Sequence, residues 1–443
     1  MKELLRNRLV LVLGHFALGY ALTFSLIPKL FGLAVLIIGS FYIINNKNRN
    51  QEALLAASYL VGAEVLIRMT GGYILYETGK YGVALFLLLG LIVGNNKFKP
   101  NVIFIFYVLL LMLGIVFTYV PEGQSIRNEI VFNLSGPILL GFCAFYFYKR
   151  EFHLEKILEG LFFMLLPVLA MTSYLYFRTP DLEEIVFGTA ANFDTSGGFG
   201  PNQVATILGL GIYATALLIL FKKKLSGFLL FDVFIFVYIV YRGFLTFSRG
   251  GIITAVIALI SFLIFYSISI KDGKKFILRV SVISVFMFVG IWLYTSNITG
   301  GMLDNRYAGK NARGIQKKDI SSGRIAILEE QLASFYESPI TGIGVGNGKY
   351  KRKFASKKVT AASHNELGRL IEEHGIIGLF SMVILFILPS QMFIRKSNLE
   401  RAFLVSYFLF WLLTISHSAM RVAFPSFIFG LCLINLIPNK SSE

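Results

Sequence analysis

Charge is scarce in this chain. Asp, Glu, Lys and Arg make up 15% of its 443 residues, where a soluble domain carries about 25%, so an ordinary water-soluble fold is excluded. Cysteine is almost absent. The two present, Cys143 and Cys432, both sit in apolar stretches, which excludes a disulfide framework and a thiolate zinc site. Histidine is equally sparse, and His15, His153 and His374 have no companions at metal-ligand spacing; neither a metal nor a cofactor is expected. No internal repeat, long polar tail or second soluble domain is visible. Acidic residues fall short of basic ones, 25 against 42, for a net charge of +17. In a soluble protein that excess would point to nucleic acid. In a membrane protein it reflects Lys/Arg-rich cytoplasmic loops, so the expected partner is the lipid bilayer and not nucleic acid.

What is abundant is apolar sequence, 56% of the chain. A helix needs about 20 apolar residues to cross a bilayer, and such runs recur near 8–27, 29–45, 53–69, 80–94, 101–120, 130–148, 157–177, 204–221, 227–247, 251–270, 276–294, 376–393, 402–418 and 422–437. The first follows a basic start, Met1 to Arg8, but no small-residue cleavage site follows it, so it reads as a retained span. The first two share a short joint at Pro28-Lys29 and would also suit one re-entrant hairpin. Basic clusters at Arg6/Arg8, Lys47/Arg49, Lys97/Lys99, Lys149/Arg150, Lys222/Lys223/Lys224, Lys271/Lys274/Lys275 and Arg395/Lys396 each follow an even number of spans. They share one side, the cytoplasm by the positive-inside rule. The expected fold is all-α, a polytopic transmembrane helical bundle of about 12–14 spans.

Two polar stretches fall on the opposite, external side, about 178–203 and 295–375. The second is too long for a plain connector and should contain short helices. It holds thirteen Lys/Arg and eight Asp/Glu, an excess of five positive charges. A basic surface beside the outer leaflet suits a phosphate or an anionic head group; Lys-rich composition alone is the other reading. The expected organisation is N-terminal helices and first external loop over 1–203, central helices over 204–294, the large external loop over 295–375 and C-terminal helices over 376–443.

The end of that loop carries the chemistry-bearing residues. From His364, Leu367, Leu370 and Ile371 keep helical spacing, so an amphipathic surface helix is expected before the next span, with His364 at its start as an imidazole able to take a proton. His364-Asn365, nine residues, Gly375, two residues and Gly378 resembles the signature of the O-antigen ligase family of bacterial polysaccharide enzymes. Arg324-Ile325-Ala326-Ile327-Leu328 is similar to that family's Arg-x-x-x-Leu motif, and Pro339 to Gly346 resembles its glycine-rich segment. Ser248-Arg249-Gly250-Gly251 resembles its membrane-edge arginine motif, and Gly200-Pro201-Asn202 its Pro-Asn pair. These blocks follow the family's order over roughly 200–385. Gly342-x-Gly344-x-Gly346 lacks the strand–helix unit of a dinucleotide loop and reads as a tight turn.

The resemblance implies a bacterial inner-membrane enzyme, its active site facing the periplasm or cell exterior. It would transfer a glycan from undecaprenyl diphosphate to a hydroxyl of another glycan, of lipid A core or of a protein, without nucleotide sugar or metal. It further implies that His364 is the general base and that Arg324 and Arg249 bind the diphosphate. Guanidinium groups grip phosphate oxygens bidentately and never lose their charge, which suits those roles. Arg249 could instead snorkel to head groups, and Arg324 could pair with Glu329 or Glu330. Asn365, Asn202 and Arg421 are expected to bind substrate. Glu64 and Arg68, four apart on one helical face, are candidates as buried ionisable residues, with Glu77 and Lys80 extending their patch; a structural ion pair is the alternative. A polysaccharide polymerase is favoured over a ligase, and a flippase or exporter is the reading from another class. A chain-length regulator as partner is left open.

Overall fold

A computed structural model describes residues 7–94, 100–223, 225–319, 321, 323–355 and 363–437; Arg6, Lys97, Lys99 and Lys224 lie outside the described residues. Each of the fourteen apolar runs is a helix. In chain order the helices are α1 (Arg8–Ala21), α2 (Ile27–Asn45), α3 (Glu52–Met69), α4 (Thr78–Val93), α5 (Ile103–Leu113, continued by a 3-10 turn Gly114–Phe117), α6 (Ile126–Phe147), α7 (Leu154–Arg178), α8 (Pro201–Leu220), α9 (Leu229–Leu245), α10 (Arg249–Ser269), α11 (Gly273–Ile298), α12 (Met302–Tyr307), α13 (Arg324–Glu337), α14 (Gly348–Ala355), α15 (Glu366–Arg395), α16 (Asn398–His417) and α17 (Ala423–Cys432). The 295–375 stretch therefore does hold short helices, α12 to α14. The chain is an all-α, multi-pass membrane protein.

Eight of these helices, among the described residues, are long and apolar enough to cross a bilayer: α2, α6, α7, α8, α10, α11, α15 and α16. The turn between α1 and α2 separates two distinct helices, with Pro28 in the first turn of α2, where its missing N–H is harmless. Local signals set several other starts. Ser397 and Glu400 form a reciprocal capping box on α16, and Asn7 and Ser125 cap α1 and α6, each side chain satisfying backbone donors that a helix start leaves open.

By internal contacts the chain forms two compact units. The first comprises Met1–Lys97, Glu151–Lys317 and Leu436–Glu443; the second comprises Phe98–Arg150 and Lys318–Asn435. In the first unit α3 lies against α7 and α4, α7 against α1 and α8, and α8 against α9 and α10. Helix α3 carries Glu52, Glu64 and Arg68, and it is buried along almost its whole length; protein, not lipid, surrounds those charges, as the expense of ionised groups in hydrocarbon requires. Helix α11 is the opposite case, exposing Leu278, Ile283, Val285 and Phe286 as a lipid-facing helix does. In the second unit α6 packs on α17 and α5, α16 on α17, and α15 on α13 and α5.

Candidate functional site

The first unit assembles the Pro-Asn and Ser-Arg-Gly-Gly segments into one construction. Asn202 stands in the first turn of α8, and its Oδ1 accepts a hydrogen bond from Ser248 Oγ at 2.7 Å. Phe247, in a left-handed conformation at φ 55°, makes the bend from α9 into α10. Beyond it, α8 and α10 touch backbone to backbone. A Cβ on Gly251 would lie 2.2 Å from the Ala205 carbonyl oxygen, so the second glycine of the motif is a packing requirement, the small-residue contact common between membrane helices. Arg249 is the first residue of α10. The positive end of a helix dipole disfavours a cation there by about 0.3–1 kcal/mol, so the guanidinium is not placed for helix stability. Its Nη1 donates to the Arg306 carbonyl at 3.4 Å.

Two cations that the sequence reading missed join it. Arg306 donates from Nε to the Phe247 carbonyl at 2.9 Å and from Nη1 to the Thr189 carbonyl at 3.1 Å. Lys317 Nζ donates to the same Thr189 carbonyl at 3.0 Å. Partial burial, and then the charges of Arg306 and Arg249, hold the Lys317 ammonium below its ordinary pKa.

In the second unit the same wrong-end placement recurs: Arg324 opens α13 directly after Gly323 at φ 83°. His364 precedes Asn365, whose Oδ1 caps α15 by accepting from Leu367 N at 3.1 Å and Gly368 N at 3.5 Å. The His-Asn pair thus sets an imidazole just outside a capped helix start. The turn between α16 and α17 fixes that position. Ala419 N donates to the His364 carbonyl at 2.9 Å, and Arg421 Nη2 donates to the Ser363 carbonyl at 3.0 Å. Arg421 also lies 4.1 Å over the Phe132 ring, a cation–π contact. Burial, then Arg421, then Arg324 lower the His364 pKa from its ordinary value. The imidazole is therefore neutral at neutral pH, the form that accepts a proton. His417, at the end of α16, is buried, and its Nε2 has no hydrogen-bond partner among the described residues.

The expected surface helix is not one. Residues 366–374 form the first segment of α15, and it is their charged face that is buried: Glu366, Arg369, Glu372 and Glu373 are all nearly inaccessible. They are covered because they neutralise one another. Arg369 pairs with Glu366 and, at 2.7 Å, with Glu373, and it donates to the Asn133 carbonyl at 2.8 Å. Arg352 reaches Glu372 at 2.6 Å, and Gln331 Nε2 donates to the same carboxylate at 3.2 Å. Gly375, at φ 61° and ψ −138°, breaks the helix before its apolar half begins. That conformation belongs to glycine, and a Cβ there would stand 2.6 Å from the Pro339 carbonyl oxygen. The glycine-rich segment runs alongside as the expected tight turn. Gly342, Gly344 and Gly346 all have positive φ, and Ile343 N and Gly344 N donate to the Glu372 and Glu373 carbonyls at 3.0 and 3.1 Å.

Glu64 and Arg68 lie in a buried ionic network. Arg68 Nη2 meets Glu64 at 2.7 Å and Glu77 at 3.0 Å, and Lys80 meets Glu77 at 2.7 Å. Glu77 and Lys80 thus extend the Glu64–Arg68 patch, as the spacing suggests. These four residues and the Arg249 group belong to the first unit; Arg324, His364, Asn365 and Arg421 belong to the second.

Residues 234–383 match the family model described as O-antigen ligase. Over this stretch the chain is similar to the O-antigen ligase family. No curated protein matches the chain. The family segment contains Arg249, Arg324, His364, Gly375 and Gly378, and also Arg306 and Lys317; Asn202 and Arg421 stand outside it. The match supports a membrane enzyme of O-antigen assembly with glycosyltransferase-like activity.

Proposed function

We propose that this protein transfers a glycan from undecaprenyl diphosphate to a sugar hydroxyl, polymerising a surface polysaccharide of O-antigen or capsule type on the outer side of a bacterial inner membrane. The observation carrying this reading is His364, held by its carbonyl at the capped start of α15, its basicity lowered by burial and then by Arg421 and Arg324, inside the family segment. The reaction needs that chemistry. His364 takes the proton of the acceptor hydroxyl as its oxygen attacks the anomeric carbon. The sugar–phosphate bond breaks, and its electron pair leaves on the diphosphate. The family resemblance assigns Arg324 and Arg249 to the charge developing there, which guanidinium groups stabilise more in the transition state than before it. One displacement inverts the anomeric centre, and no metal is required. Asn365 caps the helix that His364 precedes, and Asn202 holds the Ser248–Arg249 turn. Arg421 adds charge on the diphosphate side.

Removing the gene separates polymerase from ligase. Single repeats on lipid A support a polymerase; free polyprenyl-linked polymer means a ligase, the acceptor then being lipid A core. Returning the gene with Arg249→Ala is expected to leave transfer about 10²-fold below wild type, the usual loss on removing one preorganised electrostatic contact. Wild-type polysaccharide from that variant would contradict the role of Arg249.

The field around His364 gives a pH prediction. Burial, and then the nearby cations, lower its folded pKa, so the neutral base persists to lower pH and kcat/KM falls only on acidification through that lowered value. Arg421→Gln removes one cation, weakens the repulsion of the imidazolium and raises the pKa. The acid limb of kcat/KM should move to higher pH in Arg421→Gln and less in Arg421→Lys, which keeps the charge. An acid limb unmoved by Arg421→Gln would show that a group other than His364 titrates.

A further inference from the structure

Three positive groups of the first unit donate to three backbone carbonyls. Arg306 and Lys317 both reach Thr189, Arg306 also reaches Phe247, and Arg249 reaches the Arg306 carbonyl. Like charges held together repel, and after partial burial the charges of Arg306 and Arg249 lower the Lys317 pKa further. Such a cluster suits an anion carrying more than one charge.

Directly beside it the protein is apolar. A cavity of about 410 Å³ opens among α8, α9, α10 and α11, walled by Leu217, Val240, Phe244, Ile252, Val256 and Phe288, with Ser281 and Ser284 among its few polar neighbours. It falls in the roughly 300–1,000 Å³ range of small-molecule sites. Two residues join cavity to cations. Ile252 stands one turn after Arg249, on the same face of α10. Phe244 meets the rings of Trp292 at 5.6 Å and Tyr307 at 6.1 Å, and Tyr307 follows Arg306 in the chain. Hydrocarbon space therefore ends where the positive charge begins.

We propose that this cavity holds the first isoprene units of a polyprenyl diphosphate, and that Arg306 and Lys317, with Arg249, hold its diphosphate. The inference rests on the function proposed above and assigns to that substrate two residues and a slot. A phospholipid fits less well, since its phosphodiester presents a single charge to three cations. The branched and aromatic walls complement the methyl branches of an isoprenoid. Lys317 and Arg306 grip the leaving group, while Ile252 and Phe244 fix its depth relative to Arg249.

The test is binding of labelled undecaprenyl diphosphate to the full-length protein in nanodiscs, with undecaprenyl monophosphate and phosphatidylglycerol as competitors. Wild type should prefer the diphosphate. Arg306→Gln and Lys317→Gln should each weaken it by about tenfold, the worth of one charge-assisted contact. Ser284→Phe, which fills the slot, should weaken it as well; Lys317→Gln, in a loop, decides the question if that variant does not fold. If wild type binds the diphosphate and both charge variants bind it equally well, the inference is overturned while the proposed function stands. The same holds if phosphatidylglycerol competes as well as the monophosphate. If wild type does not bind undecaprenyl diphosphate at all, the proposed function falls, and this inference with it.

Discussion

His364→Ala is expected to reduce glycan transfer by about 10²- to 10⁴-fold, the usual contribution of a positioned general base, in a protein that still inserts and folds. The separation of effects follows from how the residue is held. Its anchors are backbone ones: its carbonyl accepts from Ala419 N, and the neighbouring Ser363 carbonyl accepts from Arg421. Both survive truncation of the ring, as does the Asn365 cap on α15. The imidazole itself is only half-buried, so its removal leaves no sealed core cavity. Initial rates of polymer formation with purified protein, read beside detergent-solubilised yield, check this. Rates within a few-fold of wild type would remove His364 from the reaction.

Arg369→Ala should act on the fold instead. Its guanidinium lies between Glu366 and Glu373, all three nearly inaccessible. Removing one partner of a buried ionic group strands the rest, typically at about 3–5 kcal/mol, a large share of the roughly 5–15 kcal/mol that stabilises a folded protein. The consequences should reach Asn133, whose carbonyl accepts from Arg369, and Met420, whose N–H donates to Glu366. Both belong to the elements that frame His364. Loss of folded protein, or a strongly lowered thermal unfolding temperature, is expected. Arg369→Met combined with Glu366→Gln and Glu373→Gln should be milder, because it leaves no unpaired charge. An unfolding temperature unchanged by Arg369→Ala would show that these carboxylates are not ionised together.

Hydropathy made the fourteen apolar helices legible because each is an apolar run set off by polar turns, and even the short α1 and α17 follow that pattern. The candidate base His364 and the two motif arginines were legible only through family spacing; nothing in local composition separates Arg249 from a snorkelling residue. The start of α15 misled for a physical reason. Leu367, Leu370 and Ile371 make an apolar stripe, but the charged stripe opposite finds partners in Arg352, Gln331 and Asn133, remote in the chain and invisible to periodicity. Arg306 and Lys317 looked like two more basic residues in a basic loop. Their meaning comes from Thr189, more than a hundred residues earlier. The Ser248–Asn202 bond likewise joins two motifs that the sequence shows only as neighbours in order.

The most direct measurement is the lipid product of a single round of transfer by purified protein, given a defined undecaprenyl-diphosphate glycan and a hydroxyl acceptor in vesicles. Cleavage at the sugar–phosphate bond releases one undecaprenyl diphosphate for each glycosidic bond formed, with the anomeric configuration inverted. Release of undecaprenyl monophosphate, or passage of the intact lipid-linked glycan across the vesicle membrane with no new glycosidic bond, would contradict it.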